Sequence, residues 1–257
     1  MLATGTRTIV ALLLAWGSGL PGLVGAEPLV EIKHFSVCRF YFRQVDANVS
    51  KVYVEFTRPE RIPSAIRSIT VEGPDGFTVT LNQAPFTLLN WNGYNHVPDG
   101  SGTSAQGFYV GFSQQPMADG VYTLTVVDTA GNVLRRSRTF HDDSGAFIAN
   151  VDAIDVSQFV PVDGARRVSR TPVISWDIAE GAGLYYVLRI WRNGDLVLLD
   201  NVFENGTGLD KDSFAVPSGV LDRGAHYNWA VEVCDSDVFE DIDHCGLLPM
   251  LDFRTAR

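Results

Sequence analysis

Residues 171–233 constrain the fold of this chain more than any other stretch. They open Thr171-Pro172-Val173-Ile174-Ser175-Trp176 and continue through Tyr185-Tyr186-Val187-Leu188-Arg189-Ile190-Trp191. They then run through Leu221-Asp222-Arg223-Gly224-Ala225-His226-Tyr227-Asn228-Trp229-Ala230-Val231. Val187, Arg189 and Trp191 alternate with Leu188 and Ile190, the period of two that sends successive side chains to opposite faces of a strand. Asn193-Gly194 accepts the positive φ of a tight hairpin, and 196–199 answers as the partner strand. This order of short strands, turns and aromatics predicts a small antiparallel β-sandwich.

The first half carries the same kind of signal. Strands are expected over 52–57, 66–71, 77–81, 108–112, 121–127 and 133–140. Pro74-Asp75-Gly76 makes a turn with a mechanism, since Pro presets φ and Gly takes a positive one. Residues 82–107 form a long connection rich in Asn, Gly, Pro and Ser. No amphipathic helix is expected after the first 26 residues. The predicted fold class is therefore all-β, with two consecutive antiparallel β-sandwich domains. The first spans 27–148, a linker covers 149–159, and the second spans 160–257.

Residues 1–26 read as a secretory signal peptide. A short n-region carries Arg7, an apolar run follows, and Val24-Gly25-Ala26 supplies small residues for cleavage. The apolar run is shorter than the ~20 residues a bilayer span needs, so no membrane span is expected after its removal. The expected location is secreted, periplasmic or cell-surface. The whole chain has a formal net charge of −10. The first 26 residues hold one Arg and no acid, so the remainder carries 19 bases against 30 acids. Most of the excess lies in 149–257, with 18 acids and 9 bases. Such a surface repels phosphate backbones and argues against nucleic-acid partners.

The three cysteines are Cys38, Cys234 and Cys245. In an oxidising compartment Cys234 and Cys245 are the disulfide pair, closing a short acidic loop, and Cys38 is left as a buried thiol or an intermolecular link.

The segment from Pro172 to Trp176, the Tyr185-Tyr186 pair, and Leu221 with Tyr227 and Trp229 resemble a fibronectin type III domain. The resemblance covers roughly 160–257 and implies that Trp176 packs in the core. It also implies that Leu221 and Tyr227 form a tyrosine corner. The first half ends in Asp119-Gly120-Val121-Tyr122-Thr123-Leu124-Thr125-Val126-Val127-Asp128 and Gly131-Asn132, which resembles a bacterial immunoglobulin-like domain. Domains of this kind imply binding through sandwich-end loops.

Two loops attract attention as contact sites. The loop 234–245 holds Asp235, Asp237, Glu240, Asp241 and Asp243 around Phe239 and Ile242. Charge with an apolar tip suits a protein partner, and Asp235, Asp237, Asp241 and Asp243 offer oxygens to calcium. In the second loop, Trp91 and Tyr94 suit a sugar ring by stacking. The five histidines are scattered, and no nucleophile elbow or phosphate-binding glycine loop occurs. The expected function is thus non-catalytic binding or adhesion to an envelope or extracellular protein, chiefly through the loop 234–245. Carbohydrate binding through Trp91 and Tyr94 is the alternative. A hydrolase with an unmarked carboxylate pair is a further one.

Overall fold

A computed structural model of the chain describes residues 27–58, 61–81, 92–98, 105–179, 181–199 and 212–257. The expected signal peptide and Trp91 lie outside them. The first half contains β1 (Ile32–Phe42), β2 (Ala47–Phe56), β3 (Ile66–Glu72), β4 (Thr78–Leu81), β5 (Asn92–Pro98), β6 (Ala105–Ser113), β7 (Gly120–Asp128) and β8 (Val133–Phe140). A helix, α1 (Ser144–Ala153), follows. The second half contains β9 (Ala165–Val168), β10 (Val173–Ser175), β11 (Tyr185–Arg192), β12 (Asp195–Leu199), β13 (Ser213–Ala215), β14 (His226–Cys234), β15 (His244–Leu247) and β16 (Leu251–Thr255). The architecture is an all-β sandwich.

Strand β1, which the sequence reading left unassigned, organises the molecule. Phe35, Val37 and Tyr41 are buried on one face of β1, and Ser36, Cys38, Phe40 and Phe42 are buried on the other. A strand buried on both faces needs neighbours on both edges and layers on both sides. β1 pairs antiparallel with β2, Val37 opposite Val52 and Cys38 opposite Lys51. Its other edge pairs in parallel with β15, Arg39 opposite His244 and Phe42 opposite Leu247. One sheet therefore crosses from the first half into the second, in the order β12-β11-β14-β15-β1-β2-β6-β5. It curls until β12 runs alongside β5, its two ends meeting as in a barrel.

Each half also keeps an outer layer. The sheet β4-β3-β7-β8 covers β1, β2 and β6, burying Phe35, Val37, Val54 and Phe56 against Ile69, Tyr122, Leu124 and Phe140. The pair β10-β13 and helix α1 cover β11 and β14, burying Leu188, Ile190, Trp229 and Val231 with Ile174, Phe147 and Val151. Trp176 packs in that second core. The Tyr227 hydroxyl accepts a hydrogen bond from the Asp222 amide at 2.7 Å, which ties the corner where the strand begins. Asn193 and Gly194 both adopt positive φ, 52° and 90°, as the hairpin requires.

Helix α1 corrects the expectation of a helix-free chain. It occupies much of the stretch between the halves, with Phe147 and Val151, one helical turn apart, buried on the second core. Its ten residues are too few to show a clear periodicity in sequence, and tertiary packing holds it. No helix among the described residues is long and apolar enough to cross a membrane.

Because the outer face of β1 belongs to the first core and its parallel edge to the second half, neither half has a complete sheet by itself. Segments 27–143 and 144–257, produced separately, are expected to give poorly dispersed amide NMR spectra, and mixing them is expected to restore dispersion. Two independently dispersed spectra would show that the shared sheet is dispensable.

Candidate functional site

The curled sheet encloses a third core, distinct from those of the two sandwiches. Alternation decides what enters it. Tyr186, Leu188 and Ile190 face the second sandwich, so Val187, Arg189 and Trp191 face inward. Val52 and Val54 face the first sandwich, so Lys51 and Tyr53 face inward. On β14, Glu232 and Cys234 take the inner positions. The inner faces are largely apolar, and Lys51, Arg189 and Glu232 set charge among them.

Those charges meet. Lys51 and Arg189 both form ion pairs with Glu232, and the Lys51 ammonium also lies 4.8 Å from the centroid of Phe40. Lys51 and Glu232 are 6% and 3% exposed, so water screens this triad little. Burial alone would favour the neutral carboxyl of Glu232, but Arg189 and Lys51 outweigh it and hold the group below the ordinary carboxylate range. Burial likewise works against the Lys51 ammonium, and the Glu232 charge more than restores it. A second buried carboxylate, Glu55, receives Lys33 at 3.1 Å and the Tyr53 hydroxyl at 3.1 Å.

The loop 234–245 stoppers one end of the barrel. Phe239 is 6% exposed, its ring 4.6 Å from Tyr53 and 4.9 Å from His34. Ile242 is buried beside the thiols. The expected apolar contact tip is therefore not displayed to a partner: Phe239 turns inward because the barrel offers it aromatic partners. Asp235 accepts from the amides of Asp243 (3.2 Å) and His244 (2.9 Å) and lies 2.8 Å from His244 Nδ1. Asp243 pairs with Arg138, which also donates to the Ile242 carbonyl. Glu240 meets His34 at 3.1 Å and Arg136 at 3.9 Å. Two of the four carboxylates expected to hold calcium, Asp235 and Asp243, are thus engaged by protein donors, while Asp237 and Asp241 are exposed on the outer side. Among the described residues, the side chains that converge as metal ligands could are Glu232, Cys234 and Cys245 instead.

Cys38, distant in sequence, joins Cys234 and Cys245 inside the barrel. Cys234 and Cys245 are direct cross-strand partners with their sulfurs 3.0 Å apart. Cys38 is 2% exposed and hydrogen-bonded to Cys245, a position that leaves an intermolecular bridge no access. All three are thiols in this structure. Burial pushes the Cys38 and Cys234 thiols well up. Burial also opposes ionisation of Cys245, but hydrogen bonds from Cys234 and Cys38 and the Lys51 charge prevail and bring it down to about 6.

Tyr94 of the expected sugar-binding pair is half-buried on the first core, its ring 5.2 Å from Tyr109. Trp91 lies outside the described residues.

At the end opposite Phe239 the lumen is unfilled. A cavity of about 310 Å³ is walled by Phe40, Phe42, Phe112, Trp191, Leu247 and Met250 and reaches Lys51, Arg189 and Glu232 at its base. Trp191, Asn228, Leu247 and Met250 are only half-buried and form its outer part. Sequence reasoning missed the triad. Its signal was a charge flanked by apolar residues inside a strand, Arg189 in Tyr185–Arg192 and Glu232 in His226–Cys234, but the partners become visible only when the strands are joined.

No family model matches the chain, and no curated protein matches its sequence. Among solved structures it is similar to the FN1-FN3 domains of chicken CNTN1, at 11% identity and a TM-score of 0.26, over 89% of this chain and 65% of that one. It is similar to dimeric latent PorU from Porphyromonas gingivalis, at 14% identity and a TM-score of 0.29, over 93% of this chain and 21% of that one. Murine CEACAM1b aligns at 10% identity and a TM-score of 0.19, over 85% of this chain and 98% of that one. The chain thus spans less than two thirds of the first two structures.

Two expectations follow from the charges. Glu232→Ala leaves Lys51 and Arg189 buried without their counter-ion and is expected to lower the unfolding free energy by about 3–5 kcal/mol in urea titrations. A loss no larger than that of an exposed substitution such as Asp237→Asn would show that the triad is solvated. The second concerns His244, which is 1% exposed and faces Asp235 in the loop and Asp142 and Asp143 before α1. Burial favours its neutral form, but the hydrogen bond and charge of Asp235, with those other carboxylates, raise it above the ordinary 6.5. A raised folded-state value means the contribution is complete below pH 6.5 and is lost as pH climbs through that raised value. The stability advantage of the native chain over His244→Gln is expected to shrink as pH rises, and a constant advantage would mean the imidazole is not charged there.

Proposed function

We propose that this chain is an exported, non-catalytic binding protein whose ligand seat is the lumen of the shared barrel. The observation that carries the reading is the cavity of about 310 Å³, apolar and aromatic along its walls and charged at its base. Ligand pockets of roughly 300–1,000 Å³ have this composition, apolar walls for affinity and a few convergent polar groups for orientation. The walls come from β1, β2, β6, β11, β12, β14 and β15, regular strands that fix their side chains more firmly than loops do. Binding is favoured over hydrolysis because Glu232 is committed to two cations. A glycosidase acid is instead a carboxyl kept protonated. The acidic loop 234–245 serves this reading as the stopper of the barrel, and Asp237 and Asp241 face solvent on its outer side.

We also propose that export oxidises Cys234 and Cys245 to a disulfide. They are opposite residues of an antiparallel pair, where the backbone spacing suits a bridge. A disulfide-bearing oxidant supplies the two oxidising equivalents and leaves as two thiols.

A neutral fluorescent probe, N-phenyl-1-naphthylamine, tests the lumen reading. The mature chain is expected to bind it with enhanced emission. Val110→Trp, which fills the lumen from β6, is expected to weaken binding roughly tenfold while circular dichroism stays β-type. Undiminished binding in that variant would move the site elsewhere. Peptide mapping without reductant is expected to join Cys234 to Cys245 and to find Cys38 as a thiol. A map with Cys38 joined to a second chain would overturn the pairing.

A further inference from the structure

We infer that the lumen takes a monoanionic amphiphile, a carboxylate head on an apolar body, with Arg189 and Lys51 holding the head. The inference rests on the reading of the lumen as the ligand seat and deepens it.

The cavity base holds two cations, Lys51 and Arg189, against one carboxylate, Glu232. Deeper toward the stopper, Glu55 is matched by Lys33, so it does not balance the surplus. An unbalanced buried charge costs several kcal/mol unless an opposite charge meets it. The hydrogen bonds tell the same story. Arg189 Nε is buried and has no acceptor, although the same side chain pairs with Glu232 through another nitrogen. A guanidinium offers five N–H donors in a fixed fork and binds carboxylates two-pronged. The orphan donor on a residue that lines the cavity is thus matched by a carboxylate arriving from it. Phe40, Phe42, Phe112 and Trp191 present an aromatic wall with no charge of their own. That fits an acyl or aromatic body better than a sugar phosphate or a free inorganic anion.

The test uses the full mature chain, oxidised with a small disulfide reagent and checked by mass. Decanoate, decanol and decylammonium are titrated by calorimetry, with tryptophan emission as a second readout. Decanoate is expected to bind roughly tenfold more tightly than decanol, the difference one charge-assisted hydrogen bond supplies. Decylammonium is expected to bind most weakly. Arg189→Gln is expected to bring decanoate down to the decanol level while decanol binding and cooperative unfolding persist. Equal binding of decanoate and decanol, or preference for decylammonium, overturns the anion inference and leaves the lumen reading standing. Failure of all three to bind overturns the lumen reading with it.

Discussion

The fold depends on a strand that is apolar on both faces. β1 cannot lie on the surface of either sandwich, since Phe35 and Val37 need one cover and Phe40 and Phe42 another. Its backbone donors and acceptors need partners on both edges, and the parallel edge finds them in β15, some two hundred residues later in the chain. This pairing fuses two sheets that would otherwise belong to separate sandwiches. Everything particular to the molecule follows from that fusion: the curled central sheet, the lumen, and the convergence of side chains from both halves inside it.

A lumen made this way receives the inner faces of strands whose outer faces serve ordinary sandwich cores. Each inner face is mainly aromatic or aliphatic, and a few positions carry charge. Lys51 and Glu232 are 181 residues apart in sequence and meet in the middle. Ion pairs of this kind add little net stability compared with a hydrophobic filling, because desolvation consumes most of their attraction. Their chemical consequence is orientation and polarity at the base of an apolar cavity. The proposed ligand seat rests on that arrangement.

The acidic loop is tied in part to the protein itself. Three of its five carboxylates are engaged locally: Asp235 organises its own turn and His244, Asp243 meets Arg138, and Glu240 meets His34. The loop is rigid through those contacts and through Phe239, which it inserts into the barrel. The three thiols lie just beneath it, and their shared environment gives Cys245 a character different from its neighbours. The chemistry of this region faces inward.

Much of the secondary structure was legible in the sequence by itself. The period-two strands, the Asn193-Gly194 hairpin and the Pro74-Asp75-Gly76 turn are local features, fixed by residues within a few positions of one another, while the buried Trp176 and the Tyr227 corner were implied by the fibronectin type III resemblance. The closeness of Cys234 and Cys245 was legible for the same reason, as they flank one short loop. Helix α1 was not, because two buried side chains make no period. The parallel β1–β15 pairing, the lumen and the triad of Lys51, Glu232 and Arg189 were decided only by tertiary structure. Alternation tells which residues share a face of a strand, but a backbone edge pairs with any other edge. Only the packing of the whole chain determined that β1 would close one barrel out of two sandwiches.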